Sequence, residues 1–183
     1  MASLPLSYYG DDVLRAVAEP VKKVSNEIRK LVDEMFETCR AESGIGLAAP
    51  QVGQPKRVIV CDLSHIDIEP FCLINPTVKR RHGPLETEQE GCLSIPGLFM
   101  DVTRHRDIVV EGRDIKGRLM RLEATDLLAR CIQHEVDHLE GRLFVDMVDD
   151  KEQLAAEIEA LEGRLVEIRT KGRAELSAGV VVG

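Results

Sequence analysis

The stretch His134-Glu135-Val136-Asp137-His138 carries the clearest chemical pattern in this sequence. If the stretch is helical, residues four apart lie on one face, one turn above the other. The two histidines can then bind a single metal ion, while Glu135 lies within reach of a water molecule on that ion. An ordinary helix with two solvated histidines would show the same five letters, so the rest of the chain has to separate these alternatives.

The residues around this stretch predict a central, largely buried helix. Thr125 and Asp126 are suited to open the helix, and Gly141 is suited to close it. Its apolar arc is broad and contains Leu127, Leu128, Cys131, Ile132 and Leu139. Two imidazoles and a carboxylate inside a core need partners that offset their lost hydration, and one metal ion satisfies all three.

The composition is that of an ordinary globular chain. Its 183 residues are enough for one domain with a sizeable core, and 44% hydrophobic and 31% charged residues argue against disorder. The net charge of −8 disfavours a general nucleic-acid surface, which needs clustered Lys and Arg. The chain shows no signal peptide and no segment as long as a membrane span, so we expect a cytoplasmic protein that does not bind membranes.

The other residues that could bind a metal ion carry weaker patterns. The cysteines are odd in number, lack a CxxC pair, and are Cys39, Cys61, Cys72, Cys92 and Cys131. In a reducing cytoplasm we expect free thiols, most of them buried as small apolar residues. His65 and His82 lie in polar surroundings that favour solvated side chains over metal ligands.

Periodicity predicts two helices before the first strand. Apolar residues three and four apart predict a helix between an N-cap at Ser25 and a stop at Gly44. A shorter helix is predicted from Asp11 to just before Pro20. The Gly/Ala-rich stretch 44–51 looks too small for a well-packed strand and lacks the spacing of a phosphate loop. Small residues there indicate that the backbone closely approaches either a ligand or a neighbouring segment.

Segments 57–61 and 71–75 predict buried strands. The second strand is expected to break at Pro76 and to continue over 77–81 on an edge of the sheet. The apolar segments on the two sides of the polar turn at 112–117 predict an antiparallel hairpin.

The part of the chain from about 150 to 183 predicts a C-terminal helix and a tail. An apolar seam with spacings of three and four runs for just over two heptads and is weakened by Gly163. Packing against the body is favoured over dimerisation or docking on a partner, and the tail at 178–183 shows no pattern. With no internal repeat and no clear boundary, residues 1–183 are predicted to form a single catalytic domain.

Three segments of the chain together resemble the signature motifs of the peptide deformylase family. They are 44–51, Glu90-Gly91-Cys92-Leu93-Ser94 and the histidine stretch described above. The family patterns are G-apolar-G-apolar-A-A-x-Q, E-G-C-apolar-S and H-E-apolar-D-H, and every defined position matches. Three matches in the family's order and at compatible spacings are highly specific. The resemblance extends from about the first helix to Asp146.

This resemblance implies that Cys92, His134 and His138 are the metal ligands. One thiolate and two imidazoles leave a fourth position open, as in catalytic sites rather than structural ones. The ion of the family is Fe²⁺, which Zn²⁺, Ni²⁺ or Co²⁺ can replace. Thiolate and imidazole suit all of these ions, so the sequence does not choose among them.

The resemblance also implies the reaction, which is hydrolysis of the N-formyl group from N-formylmethionine at the start of newly made polypeptides. Glu135 would take the proton and return it, and formate would be released. Gln51 and the Leu93 backbone N–H would stabilise negative charge on the formyl oxygen, while Gly46 would present its backbone to an extended peptide. Candidates for the pocket that receives the methionine side chain are Ile45, Leu127 and Cys131.

Charged residues near the motifs are predicted to support the site. Asp137 is expected to orient a neighbour by hydrogen bonding rather than to bind the ion. Glu90 and Arg104 are predicted to form an ion pair under the cysteine motif. Arg130 fits beside the pocket only if its head group reaches solvent or a carboxylate.

Pattern and resemblance together predict an α+β fold, with antiparallel β-sheets packed around the metal-binding helix and a C-terminal helix. Two other functions stay open. A zinc peptidase with the same helix motif would take its third ligand downstream as His or Glu, whereas Cys92 lies upstream. A non-catalytic metal-binding or ribosome-associated domain would not need Glu135 and Gln51. The sequence leaves the oligomeric state and any contact of the last helix with the ribosome open.

Overall fold

An antiparallel sheet of five strands orders the chain in the computed structural model, which describes residues 3–171. Neighbours in the sheet are also neighbours in sequence: β1 Gly46–Ala48, β2 Val58–Cys61, β3 Phe71–Cys92, β4 Ile95–Arg113 and β5 Leu119–Thr125. The helices are α1 Asn26–Ala41, α2 Asp126–Leu139 and α3 Lys151–Lys171. The predicted α+β class is confirmed.

Strands β3 and β4 form a long hairpin whose turn carries the cysteine motif. Cys92 pairs with Ile95, so Leu93 and Ser94 make a two-residue turn between the strands. Such short turns hold the two strand ends in a defined geometry. The hairpin therefore fixes the position of Cys92 and leaves the Leu93 N–H outside the strand ladder.

The prediction that residues 77–81 continue the second strand on an edge of the sheet is confirmed, but the predicted break at Pro76 is wrong. From Thr77 onward β3 pairs with β4 alone, as expected for an edge. The strand nevertheless continues through Pro76, because the ladder shifts register between Ile74 and Thr77. Proline has no N–H to donate, and an irregularity of the ladder accommodates it without ending the strand. The predicted hairpin around 112–117 is confirmed by the pairing of β4 with β5.

The prediction that 44–51 contains no strand is wrong. Gly46–Ala48 forms β1 and pairs with β2. Its three residues are buried, and the small Gly46 and Ala48 let the strand lie close to α2. The Gly/Ala composition that lowers strand propensity therefore reflects a close approach of backbone to helix.

The N-terminal helix predictions differ in outcome. Helix α1 begins as predicted, because the Ser25 hydroxyl accepts the Ile28 N–H at 3.4 Å. The prediction of a shorter helix from Asp11 to just before Pro20 is wrong, since only the 3₁₀ turn Asp12–Leu14 forms. Further along, the Ala18 N–H donates to the Leu139 carbonyl at 2.9 Å. The backbone there is satisfied by tertiary partners, so it does not need a helix.

Helix α2 lies in the centre of the molecule. Every residue from Ala129 to Leu139 is buried, which confirms the predicted central helix. The helix follows Thr125 and is terminated near Gly141, whose φ of 70° is a conformation that glycine adopts readily. One face of α2 packs on the sheet, and the histidine motif lies on its last turns.

Helix α3 packs on the outgoing strand of the cysteine hairpin. Leu161, Leu165 and Ile168 join a buried cluster that contains Leu98 and Met100 of β4. The predicted packing against the body is confirmed, and Arg164 Nε adds a hydrogen bond of 3.2 Å to the Pro96 carbonyl. The tail predicted at 178–183 lies outside the described residues. None of the helices within residues 3–171 is both long and apolar enough to cross a membrane.

Candidate metal centre

Cys92, His134 and His138 converge between the hairpin turn and α2. The cysteine sulfur and one nitrogen from each ring all lie within 4.8 Å of one another. Cys92 Sγ is 3.3 Å from His138 Nε2, and all three side chains are at most 2% exposed. The structure thus brings the three predicted ligands to one buried point. His65 is exposed and His82 half-buried, and neither belongs to a metal-binding group among the described residues.

The helix motif contains buried polar atoms that lack hydrogen-bond partners within residues 3–171. They are His134 Nε2, both carboxylate oxygens of Glu135 and His138 Nδ1. Leaving such a group unpaired costs about 1–3 kcal/mol, so several of them together point to an interaction with a ligand. A soft sulfur and two imidazoles are the donors preferred by late first-row transition metals, and these residues fit such an ion.

Glu90 determines which nitrogen of His134 faces the site. Glu90 Oε2 lies 2.9 Å from His134 Nδ1, and Arg104 Nη2 donates to the same oxygen at 2.9 Å. Burial alone would raise the pKa of Glu90, but the hydrogen bonds from His134 and Arg104 outweigh it and lower the pKa well below its ordinary value. Glu90 is therefore an ionised acceptor and Nδ1 the donor, which leaves the lone pair on Nε2 for a metal ion. The predicted ion pair between Glu90 and Arg104 is confirmed.

Asp137 is directed away from the convergence point and towards two arginines. Arg104 Nη1 donates to Asp137 Oδ2 at 2.7 Å, and Arg142 Nη2 lies 2.8 Å from Oδ1. The predicted hydrogen bonding of Asp137 to neighbouring side chains is present. Because Arg104 also binds Glu90, it connects β3 with Asp137 on α2.

The burial of the site disfavours charge on its groups. Burial, followed by the charge of Cys61, raises the pKa of Glu135 well above its ordinary value. Burial also raises the pKa of Cys92, although hydrogen bonding from Ser94 opposes this, and burial lowers the pKa of His138. A cation favours the ionised thiol and carboxylate, while a neutral imidazole is the form that binds metal.

Gln51 presents its amide donor to the same point. Its Oε1 accepts the Ala48 N–H at 2.7 Å, and its Nε2 lies 3.5 Å from Cys92 Sγ. Gln51 is completely buried, so this orientation is held by the protein interior. Two N–H donors therefore lie beside Cys92: the Gln51 side-chain amide and the Leu93 backbone N–H in the hairpin turn.

The candidate pocket residues come from α2 and from the position directly before β1. Ile45 and Cys131 are buried, and the Cys131 thiol donates to the Ile45 carbonyl at 3.6 Å. A Cβ atom on Gly46 would lie 2.5 Å from Glu135 Oε1 and 2.6 Å from Cys131 Sγ. Leu127, one turn before Cys131, is half-buried against the same cluster. Ile45 and Cys131 therefore meet at the contact between the start of β1 and α2, whereas Leu127 lies about two turns before Glu135 on α2.

Comparisons with known proteins agree with this arrangement. The family model described as polypeptide deformylase matches residues 3–154. A peptide deformylase from Microchaete diplosiphon is 50% identical over 157 residues, which cover 85% of this chain and 84% of that protein. The chain belongs to the polypeptide deformylase family.

Solved deformylase structures share the fold. The peptide deformylase from Synechococcus elongatus in complex with actinonin is 47% identical, with a TM-score of 0.84 over 88% of this chain and 87% of that one. The deformylase from Legionella pneumophila is 34% identical, with a TM-score of 0.87 over 93% and 99% of the two chains. Peptide deformylases are metal-dependent hydrolases that remove the N-formyl group from newly made polypeptides. The enzyme class predicted from the three motifs is confirmed.

Sequence reasoning missed one contact of this deformylase site and left the partners of a second residue open. The Phe144 ring stacks on His134 with centroids 6.0 Å apart, and no pattern in the sequence signals this contact. Arg130 forms ion pairs with Glu88 and Glu90, so its head group does reach carboxylates. Its position four residues before His134 places it on the ligand face of the helix, which is a signal that could have been used.

Gly46→Ala is expected to lower kcat/KM for deformylation by about a hundredfold, because a small displacement of reacting groups has an effect of that size. The added methyl group would press on the Glu135 carboxylate and on Cys131. Formate release by the purified variant measures the loss. Gly163→Ala is the matched control, since no atom lies within 4 Å of its new Cβ. Wild-type activity in Gly46→Ala would contradict the close approach of β1 to Glu135.

Proposed function

We propose that Cys92, His134 and His138 hold a catalytic Fe²⁺ ion with which this protein removes the formyl group from N-formylmethionyl polypeptides. The observation that carries the proposal is the convergence of three ligand atoms with the unpartnered carboxylate of Glu135. Family membership supports the reaction. The donor set equally suits Zn²⁺, Ni²⁺ or Co²⁺, so these ions are expected to replace iron.

Glu135 is the proton carrier in this proposal. When bound, the ion lowers the pKa of the attacking water and polarises the formyl group. Glu135 accepts a proton from that water as its oxygen bonds to the formyl carbon. Glu135 then gives the proton to the leaving nitrogen as the C–N bond breaks, which yields formate and a free amino terminus. The lack of hydrogen-bond partners within residues 3–171 leaves both Glu135 oxygens available for these transfers.

Gln51 and Leu93 stabilise the negative charge that develops on the formyl oxygen. The Gln51 amide is held in place by its hydrogen bond to Ala48, and the Leu93 N–H lies in the turn beside Cys92. Because both donors are fixed before the substrate binds, each is expected to contribute about 3 kcal/mol in the transition state.

The substrate is expected to bind along β1. This strand lies at one end of the sheet and pairs with β2 on one side, so a peptide in extended form can add to its other side through the Gly46 backbone. Ile45, Leu127 and Cys131 would contact the methionine side chain. A surface cavity of about 380 Å³ that is lined by Gly44 and Ile45 offers space for later residues of the peptide.

The proposed cellular setting is the cytoplasm, where formylated polypeptides emerge from ribosomes. The exposed charged residues of α3 are mostly acidic, with Glu152, Glu159, Glu162 and Glu167 outnumbering Lys151 and Arg169. Such a surface repels RNA phosphates, so any contact of α3 with the ribosome would be with a basic protein surface.

The deciding experiment is anaerobic purification followed by metal analysis and assays of formate release. We expect about one metal ion per chain, formate release from a formyl-Met peptide, and loss of activity in air together with loss of iron. Actinonin, which is bound in the Synechococcus elongatus structure, is expected to inhibit the reaction. Cleavage of an internal peptide bond without formate release would instead establish the zinc peptidase function.

A further inference from the structure

Arg130 is a buried arginine that shares Glu90 with His134. Its side chain is 5% exposed, and Nη1 donates to Glu90 Oε1 at 2.7 Å. The other oxygen, Oε2, lies 2.9 Å from His134 Nδ1. Arg104 Nε also donates to Oε1, so that oxygen is held by arginines from two different elements. The orientation of the Glu90 carboxylate therefore depends on both Arg104 and Arg130. Because Glu90 contacts His134, the orientation of the His134 ring depends on them too.

Arg130 also connects α2 to the backbone of both hairpin strands. Nη1 donates to the Val102 carbonyl of β4 at 2.9 Å, and Nη2 donates to the Glu86 carbonyl of β3 at 2.9 Å. Its Nε lies 3.0 Å from Glu88 Oε2. One buried guanidinium on α2 thus contacts the Glu88 and Glu90 carboxylates and the Glu86 backbone carbonyl of β3.

These contacts join the two elements that carry the ligands. Cys92 is on the hairpin and His134 is on α2, so their separation depends on how the helix sits against the strands. A planar guanidinium with several fixed donors specifies distance and angle better than apolar packing does. We propose that Arg130 is a positioning residue of the metal centre, which sets the helix-to-hairpin spacing and fixes His134 through Glu90. The inference rests on the ligand set in the proposed function.

A purely structural role for Arg130 makes a different prediction. Replacement of a buried ion pair by an apolar side chain of similar volume is often neutral for stability, so unfolding alone does not separate the two roles. A positioning role requires that the metal ion be held less well even at equal stability. Partners of ligating histidines typically affect metal affinity by about 10–100-fold.

The test uses the full chain loaded with Co²⁺, in which the thiolate-to-cobalt absorption band reports Cys92 ligation. We expect Arg130→Met to lose cobalt to a chelator about 10–100-fold faster than the wild type. Arg130→Lys is expected to be intermediate, because it keeps the charge near Glu90 but cannot donate to both strands.

Two control variants separate metal binding from stability. Arg106→Met removes another arginine that joins β4 to α2, through Asp126, without touching Glu90. Ile132→Val weakens the packing of the same helix at a buried position. Both controls are expected to lose cobalt at the wild-type rate.

The outcomes distinguish this inference from the proposed function. If the thiolate band is intact and cobalt dissociates from Arg130→Met and wild type at equal rates, the inference is overturned and the proposed function is not. A faster rate in Arg130→Met that Ile132→Val matches at the same melting temperature would also overturn it. A wild-type protein that binds cobalt without the thiolate band would overturn the ligand set and the inference together.

Discussion

Glu135→Gln is expected to lower kcat for formate release by about 10²–10⁴-fold while the protein keeps its metal ion. The amide has nearly the shape of the carboxylate but cannot accept the proton from water or return it to the leaving nitrogen. The ligands are untouched, so metal content should equal that of the wild type. Steady-state kinetics with metal analysis of the same sample measure both quantities. Full activity in metal-loaded Glu135→Gln would show that another group moves the proton.

The surface carboxylate Glu140 provides the matched control. It lies directly after the same helix and pairs with Arg57 at 2.8 Å. Glu140→Gln removes an equal charge outside the site, and we expect wild-type kcat and KM. A comparable loss in both variants would indicate a general electrostatic effect of charge removal rather than proton transfer by Glu135.

The metal-free protein provides a second readout for Glu135, because burial raises the pKa of its carboxyl group well above the ordinary value. A carboxyl group with a raised pKa in the folded state stabilises the fold below its unfolded pKa, about 4.3, and this contribution is lost as the pH rises. Gln does not titrate. The thermal stability of metal-free Glu135→Gln should therefore exceed that of the wild type by an amount that grows as the pH rises above about 4. A constant difference across this range would contradict the raised pKa.

Cys92→Ala is the second change with a large expected effect. It removes the thiolate and leaves two imidazoles, so metal affinity should fall by more than the roughly 10–100-fold typical of groups that only support a ligand. Deformylation should be lost together with the ion. Equilibrium dialysis followed by metal analysis, at equal protein and free-metal concentrations, measures the change.

Cys72→Ala is the control for cysteine removal. Cys72 is buried in β3, far along the same strand, and belongs to a different apolar cluster. Its replacement costs packing but removes no ligand, so metal content and activity should be retained. Retention of a full metal equivalent by Cys92→Ala would show that the ion is held elsewhere.

The unpartnered Glu135 connects the fold with its chemistry. Both of its oxygens are buried without a partner among residues 3–171, which an ordinary core would not tolerate. Native proteins accept such local costs where function requires them. Full hydrogen bonding of Glu135 by the protein would stabilise the fold but would occupy the atoms that must exchange protons.

Sequence reasoning succeeded where the relevant distances are short along the chain. The spacing of His134 and His138 specifies one helical face, because four residues make about one turn. The seam on α3 and the cap at Ser25 follow from the same local geometry, and both are present in the structure. Two of the failures, at the turn of Asp12–Leu14 and at β1, occurred where tertiary partners replaced local preference.

The sequence by itself determined the chemical types of the site: one thiol, two imidazoles, a carboxylate and an amide. Family motifs then indicated the reaction. Only the tertiary structure decided that Cys92 and His138, 46 positions apart, lie within 3.3 Å, and that Arg130 ties their elements together. Contacts between distant segments depend on how helix and hairpin pack in three dimensions, and the pattern of either segment alone does not contain that information.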